Sequence, residues 1–157
     1  MVLVDSSAWI EYLRATGSEV DVQLNDLIVK GTSLAVTDVV MLEVLAGARD
    51  DADAQRLRRL LLSCAVLPAR DLTDYEEAAR LSRRCRASGD RIRSLLDCLI
   101  AAISIRAGAA LLHKDRDFDV IARHSSLRLA RTSAARSTRD PVHPSKPPRG
   151  ARHAPRS

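Results

Sequence analysis

Ser94-Leu95-Leu96-Asp97-Cys98-Leu99-Ile100-Ala101-Ala102-Ile103-Ser104-Ile105 lies between Arg93 and Arg106 and carries a single charge, at Asp97. The run is long enough for three turns of helix, with Ser94 as N-cap and Gly108 as the stop. A helix that is apolar on nearly every side belongs inside a protein. An ionised carboxylate placed there costs several kcal/mol unless it is paired, protonated or bound to a cation. Taken alone, Asp97 has two ordinary explanations: a buried ion pair with Arg93 one turn earlier, or a position at the wet end of the helix.

Reading outward, the same anomaly recurs. Thr37 caps a helix from Asp38 to Ala46 that ends at Gly47, and from Val39 to Ala46 its only charge is Glu43. Two unrelated buried ion pairs would each need their own cation. Between and around these helices lie short apolar runs: Val2-Leu3-Val4, Leu34-Ala35-Val36, Ala65-Val66-Leu67, Ala109 to Leu112 and Leu127 to Leu129. Strands of this kind alternating with helices predict a mostly parallel sheet, whose carboxyl ends converge on one face. Asp5 and Asp115 each follow such a strand. The serines after Asp5 are expected to cap the first helix, and Thr73-Asp74-Tyr75-Glu76 has the capping-box spacing to open a long helix toward Ser88-Gly89.

Charge divides by position. The chain has 157 residues and a net charge of +5, yet residues 131–157 hold seven basic residues against Asp140, with five of the six prolines. Residues 1–130 are therefore close to neutral and form the expected globular domain, while 131–157 read as a basic, Pro-rich tail without enough apolar area to order itself. Such a tail attracts nucleic acid nonspecifically. Cys64, Cys85 and Cys98 have no C-x-x-C spacing and sit in apolar or helical patterns, which predicts reduced core thiols in a cytoplasmic protein. Neither a signal peptide nor a membrane span is expected. The lone Trp9 falls on an apolar helical face, a core position. Arg80, Arg83, Arg84 and Arg86 read as a solvated face.

Asp5, Glu43, Asp97 and Asp115 can face one pocket above such a sheet. Four acids sharing a pocket repel one another and must take up protons or bind cations. Oxygen ligation without Cys or His selects a hard divalent ion, Mg²⁺ or Mn²⁺.

Val4-Asp5-Ser6-Ser7, Glu43-Val44-Leu45-Ala46-Gly47, Arg93-Ser94-Leu95-Leu96-Asp97-Cys98 and Asp115-Arg116-Asp117-Phe118 resemble, in order and spacing, the motifs of PIN-domain ribonucleases. More closely, the chain resembles the VapC toxins of bacterial toxin–antitoxin pairs. The resemblance covers about residues 1–130. It implies an α/β/α sandwich with a mostly parallel central sheet, Mg²⁺- or Mn²⁺-dependent cleavage of RNA, homodimerisation, and neutralisation by a cognate antitoxin protein. Carried over by position, Asp5, Glu43, Asp97 and Asp115 are the acidic quartet and Asp117 an additional metal-site acid. Ser7 matches the family's hydroxyl after the first Asp, which orients Asp5 or a metal-bound water. Once the four acids are read as one cluster, Arg93 is better read as a candidate phosphate contact than as the partner of Asp97, and Arg116 stands with it in support. His113 occupies a position where the family often has Thr or Ser, and is read as structural. Two other readings compete. An aspartyl phosphotransferase would need a second acid where Ser7 stands. A non-catalytic nucleic-acid-binding module would rely on the arginines and tail alone.

Overall fold

The computed structural model describes residues 1–130, and the basic tail expected over 131–157 lies outside the described residues. Five short strands, β1 (Val2–Val4), β2 (Leu34–Val36), β3 (Ala65–Val66), β4 (Ala110–Leu112) and β5 (Arg128–Leu129), form one sheet in the order β3-β2-β1-β4-β5. All four pairings are parallel. Leu3, Val4, Ala35, Val36, Leu111 and Leu112 are fully buried, as expected for strands covered on both faces.

Among the described residues, seven helices accompany the strands. α1 (Ser6–Arg14) and α2 (Glu19–Val29) join β1 to β2, and α3 (Asp38–Ala46) and α4 (Asp51–Leu61) join β2 to β3. α5 (Asp71–Ala87) and α6 (Leu95–Ala107) carry the chain back across the sheet to β4, and α7 (Arg116–Arg123) leads to β5. Right-handed crossovers that run first one way and then the other put α1–α4 on one face and α5–α7 on the opposite one. Most helix contacts follow this division, α1 with α2 and α3, α3 with α4, and α5, α6 and α7 with one another, while α3 and α6 meet across it. The expected three-layer sandwich is therefore the observed fold. The winding direction reverses between β1 and β4, and open α/β sheets form their ligand crevices at such a switch.

Helix α6 is the hydrophobic spine, with Cys98 to Ser104 all buried. Its start departs from the expected all-round burial: Leu95 is 67% and Leu96 40% exposed, because the first turn emerges at the rim of the sheet. Trp9 and Phe118 are fully buried core residues, and the three cysteines are free thiols. Arg80, Arg83, Arg84 and Arg86 lie exposed along α5.

Two caps differ from the sequence reading. Asp5, rather than either serine, caps α1, accepting the Ser7 backbone N–H at 2.9 Å. Helix α5 starts at Asp71, two residues before the capping-box threonine. There Asp71 accepts the Thr73 N–H, and Asp74 takes the Arg70 N–H at 2.7 Å. No described helix is long and apolar enough to cross a membrane.

Candidate active site

The site follows from the switch in winding. Because β1 pairs directly with β4, the residues leaving their carboxyl ends are neighbours, and the Asp5 N–H extends the pairing by donating to the Leu112 carbonyl at 2.9 Å. Asp5 and Asp115 then do the same local job. Each caps the helix that follows its strand, and each accepts the N–H of the residue two positions on, Ser7 or Asp117. Both carboxylates are thereby held just beyond the carboxyl ends of the two central strands, at the crevice that forms there.

Asp97 enters from the other side, in the first turn of α6, and is 8% exposed. Carboxylate oxygens of Asp97, Asp115 and Asp117 all lie within 4.8 Å of one another. None of the ion pairs among the described residues reaches Asp97, so the explanation by pairing with Arg93 fails. Burial, followed by the charges of Asp5, Asp115, Asp117 and Glu43, pushes the Asp97 carboxyl up to about 7. Asp5 is 2% exposed, and burial raises its pKa against the opposing hydrogen bonds from Ser7. Glu43 is raised by burial and by the charge of Asp5, while the Ser6 side chain works against the rise. Its Oε2 is sealed from solvent without a hydrogen-bond partner. Of the four acids expected to converge, Asp97 feels the other three and Glu43 feels Asp5, but the set whose oxygens close to within 4.8 Å of one another is Asp97 and Asp115 with Asp117, which is 5% exposed.

The supporting residues sort by contact. Ser7 Oγ donates to Asp5 and accepts the Lys114 N–H at 2.9 Å, so this hydroxyl ties the end of β4 to the start of α1. Lys114 in turn pairs with Glu11 at 3.1 Å. His113 donates from Nδ1 to the Asp115 carbonyl at 2.8 Å, and its ring lies 5.2 Å from that of Phe118. That is the structural role expected of it. Arg93 pairs with Asp115 and Asp117, and Arg116 is exposed at the first position of α7. Ser6 was not singled out by the sequence; its influence on Glu43 was legible only in that two serines follow Asp5 where one suffices. Leu42, 64% exposed, joins Leu95 and Leu96 as an apolar residue beside a site acid in sequence.

The donor set consists of carboxylate oxygens alone, includes an orphaned buried acceptor on Glu43, and holds a proton on Asp97 near neutrality. It therefore fits a hard divalent cation.

Three comparisons bear on this geometry. The PIN domain family matches residues 2–124. Ribonuclease VapC11 of Mycobacterium tuberculosis (strain ATCC 25618 / H37Rv) is 43% identical over 131 residues, which cover 83% of this chain and 98% of the relative. Among solved structures, VapBC2 from Rickettsia felis bound to a promoter DNA fragment contains a chain that matches with a TM-score of 0.64 at 18% identity, covering 83% of this chain and 98% of that one. VapC20 of Mycobacterium tuberculosis, a Sarcin-Ricin loop cleaving toxin, matches with a TM-score of 0.61 at 18% identity, covering 82% and 99%.

Proposed function

The chain belongs to the PIN-domain family, and on that premise we propose that it is a VapC-type toxin whose acidic pocket cleaves RNA phosphodiester bonds with Mg²⁺ or Mn²⁺. Asp97, Asp115 and Asp117 would hold the ion, with Asp5 and Glu43 completing its oxygen ligands. The observation that carries the reading is the closure of three carboxylates to within 4.8 Å of one another around an Asp97 whose pKa lies near 7. Such a cluster is poised to exchange a proton for a cation at neutral pH. A divalent ion bound there activates water as a nucleophile and stabilises negative charge on the phosphate.

The chain's own residues supply position and proton affinity. Ser7 fixes the Asp5 carboxylate to the end of β4. Burial keeps Asp5, Glu43 and Asp97 reluctant to ionise, so the pocket gains most from a positive charge. Arg93 and Arg116 bring positive charge to the rim of a pocket that would otherwise repel a polyanion. The protein works as a homodimer in the cytoplasm, where its RNA substrate is, and a cognate antitoxin neutralises it. Likeness in fold to a chain of a toxin–antitoxin complex is the support for that partnership.

Bacterial total RNA incubated with the purified protein and Mn²⁺ is expected to yield fragments with reproducible 5′ ends. EDTA or Asp97→Asn should abolish them. Undiminished cleavage by folded Asp97→Asn would overturn the assignment.

A further inference from the structure

We propose that Arg93 is the built-in counter-cation of the metal-free site: its guanidinium occupies Asp115 and Asp117 until a divalent cation displaces it, and it is then available to an RNA phosphate. The inference rests on the metal-dependent reading above and concerns how the site changes between its two states.

The contacts are specific. Both oxygens of Asp117 are taken by Arg93, Oδ2 by its backbone N–H at 2.7 Å and Oδ1 by Nε at 3.2 Å. Nη2 donates to Asp115 Oδ1, the same oxygen that caps α7 by accepting the Asp117 N–H at 2.9 Å. Arg93 thus covers two of the three carboxylates that could hold a cation, and leaves Asp97, four residues further on, uncovered. Two positive groups cannot share these oxygens without repelling each other.

Burial separates this pair from a permanent structural one. The Arg106 side chain is 24% exposed and its guanidinium is held by Asp74 and by the Pro68 carbonyl at 2.9 Å. The Arg93 side chain is 68% exposed. Asp117 itself is buried, but the arginine end of the pair stands largely in water, so the guanidinium can be rehydrated when another cation takes the oxygens. The backbone N–H of Arg93 holds Asp117 independently of the guanidinium, so the loop keeps its anchor when the side chain leaves. The side chain then projects from the rim of the acidic pocket. A guanidinium there presents a planar fork of donors suited to a phosphodiester.

The alternative role for the same contacts is scaffolding, in which Arg93 holds the two carboxylates in place for the ion. The two roles predict opposite signs. Titration calorimetry with Mn²⁺ at pH 8, without RNA, would compare wild type, Arg93→Gln, Arg93→Lys and Asp97→Asn. Exchange predicts that Arg93→Gln binds Mn²⁺ about five- to tenfold more tightly than wild type. Arg93→Lys, which keeps the charge but cannot span both carboxylates, should fall between. Circular dichroism checks that each variant is folded, and the backbone anchor makes that the expectation for both substitutions at Arg93.

A second readout is the Arg93 Nε–H resonance of wild type. Addition of Mg²⁺ should move it from a hydrogen-bonded to a solvent-exchanging position. Equal or weaker Mn²⁺ binding by Arg93→Gln, or an Nε–H that Mg²⁺ leaves in place, overturns the exchange. If Asp97→Asn still loses Mn²⁺ in that case, the metal site itself stands. Failure of wild type and Arg93→Gln alike to bind Mn²⁺ overturns both the metal site and the role of Arg93.

Discussion

Asp74 on α5 and Asp97 on α6 lie on adjacent helices and are both nearly sealed from solvent, at 2% and 8% exposure, yet they are opposites. Asp74 receives Arg106 Nε on both oxygens, at 2.9 and 3.1 Å, and the Arg70 N–H besides. Asp53 on α4 is a second case of the same kind: hydrogen bonds from Arg49 and Arg56 hold its carboxyl far below the usual range. Asp97 has other carboxylates for neighbours, and its pKa is pushed the other way. The fold therefore contains arginines able to neutralise buried acids and does not place one on Asp97. A compensated carboxylate is part of the scaffold, whereas an uncompensated one that the fold retains marks a place where a charge is to be supplied from outside.

The largest effects should come from neutralising one member of each class. Asp97→Asn is expected to lower metal-dependent RNA cleavage by about 10³-fold, the scale of losing several kcal/mol of charge stabilisation, and to leave the protein folded. Asp74→Ala is expected to do the reverse. It strands Arg106 and should reduce unfolding stability by about 3 kcal/mol, while each molecule that remains folded keeps its cleavage rate. Urea denaturation beside a cleavage assay on both variants checks the contrast. It breaks if Asp97→Asn loses stability as Asp74→Ala does.

A smaller and sharper effect concerns pH. Asp97 holds its proton more tightly in the folded chain than in the unfolded one, where an Asp titrates near 4. In the metal-free protein its contribution to stability is complete below about pH 4 and is lost as pH rises to about 7, because the folded state must give up a proton it favours. Asparagine never ionises. The melting temperature of Asp97→Asn in EDTA should therefore match wild type near pH 4 and exceed it increasingly up to pH 7, with no further gain above. Divalent-metal binding has the opposite sign. It needs the ionised acid, so Mn²⁺ affinity of wild type should fall as pH drops below 7, with proton release on binding. Calorimetry in buffers of different ionisation enthalpy measures that proton.

Much of this was legible in the sequence, for reasons that are local. An apolar run broken by a single acid is visible at Glu43 and Asp97, and a strand followed at once by an acid is visible at Asp5 and nearly so at Asp115. What local pattern cannot carry is who stands beside whom. The proximity of Asp5 to Asp115 depends on β1 pairing with β4, residues more than a hundred positions apart, and an alternation of strands and helices is compatible with several strand orders. Arg93 pointed to Asp97 by helical spacing, but it lies before the N-cap Ser94, so that spacing does not apply to it. Its partners come instead from α7 and the residue that caps it. Propensity does not single out Asp5 as the cap, because serine is an equally good one; the choice follows from the strand ending at Val4, which leaves Asp5 as the half-helical residue.

The smallest expected effect tests how far the uncompensated acids depend on neutral support. Ser7 Oγ is the hydroxyl that touches Asp5 and also receives the Lys114 N–H, so it joins the two strand ends that bring Asp5 and Asp115 together. Ser7→Ala removes both contacts. The Lys114 N–H lies at an exposed position and can turn to water, so the stability loss should be only about 1 kcal/mol. Asp5 loses a hydrogen bond that opposes the effect of burial, and its pKa should rise further. The cleavage rate of Ser7→Ala should then fall at neutral pH and recover toward wild type as pH is raised, whereas a purely structural defect would lower the rate equally at every pH. Ser7→Thr keeps the hydroxyl and should restore the wild-type pH profile. A profile for Ser7→Ala parallel to wild type would mean that Asp5 is positioned by its backbone and cap alone.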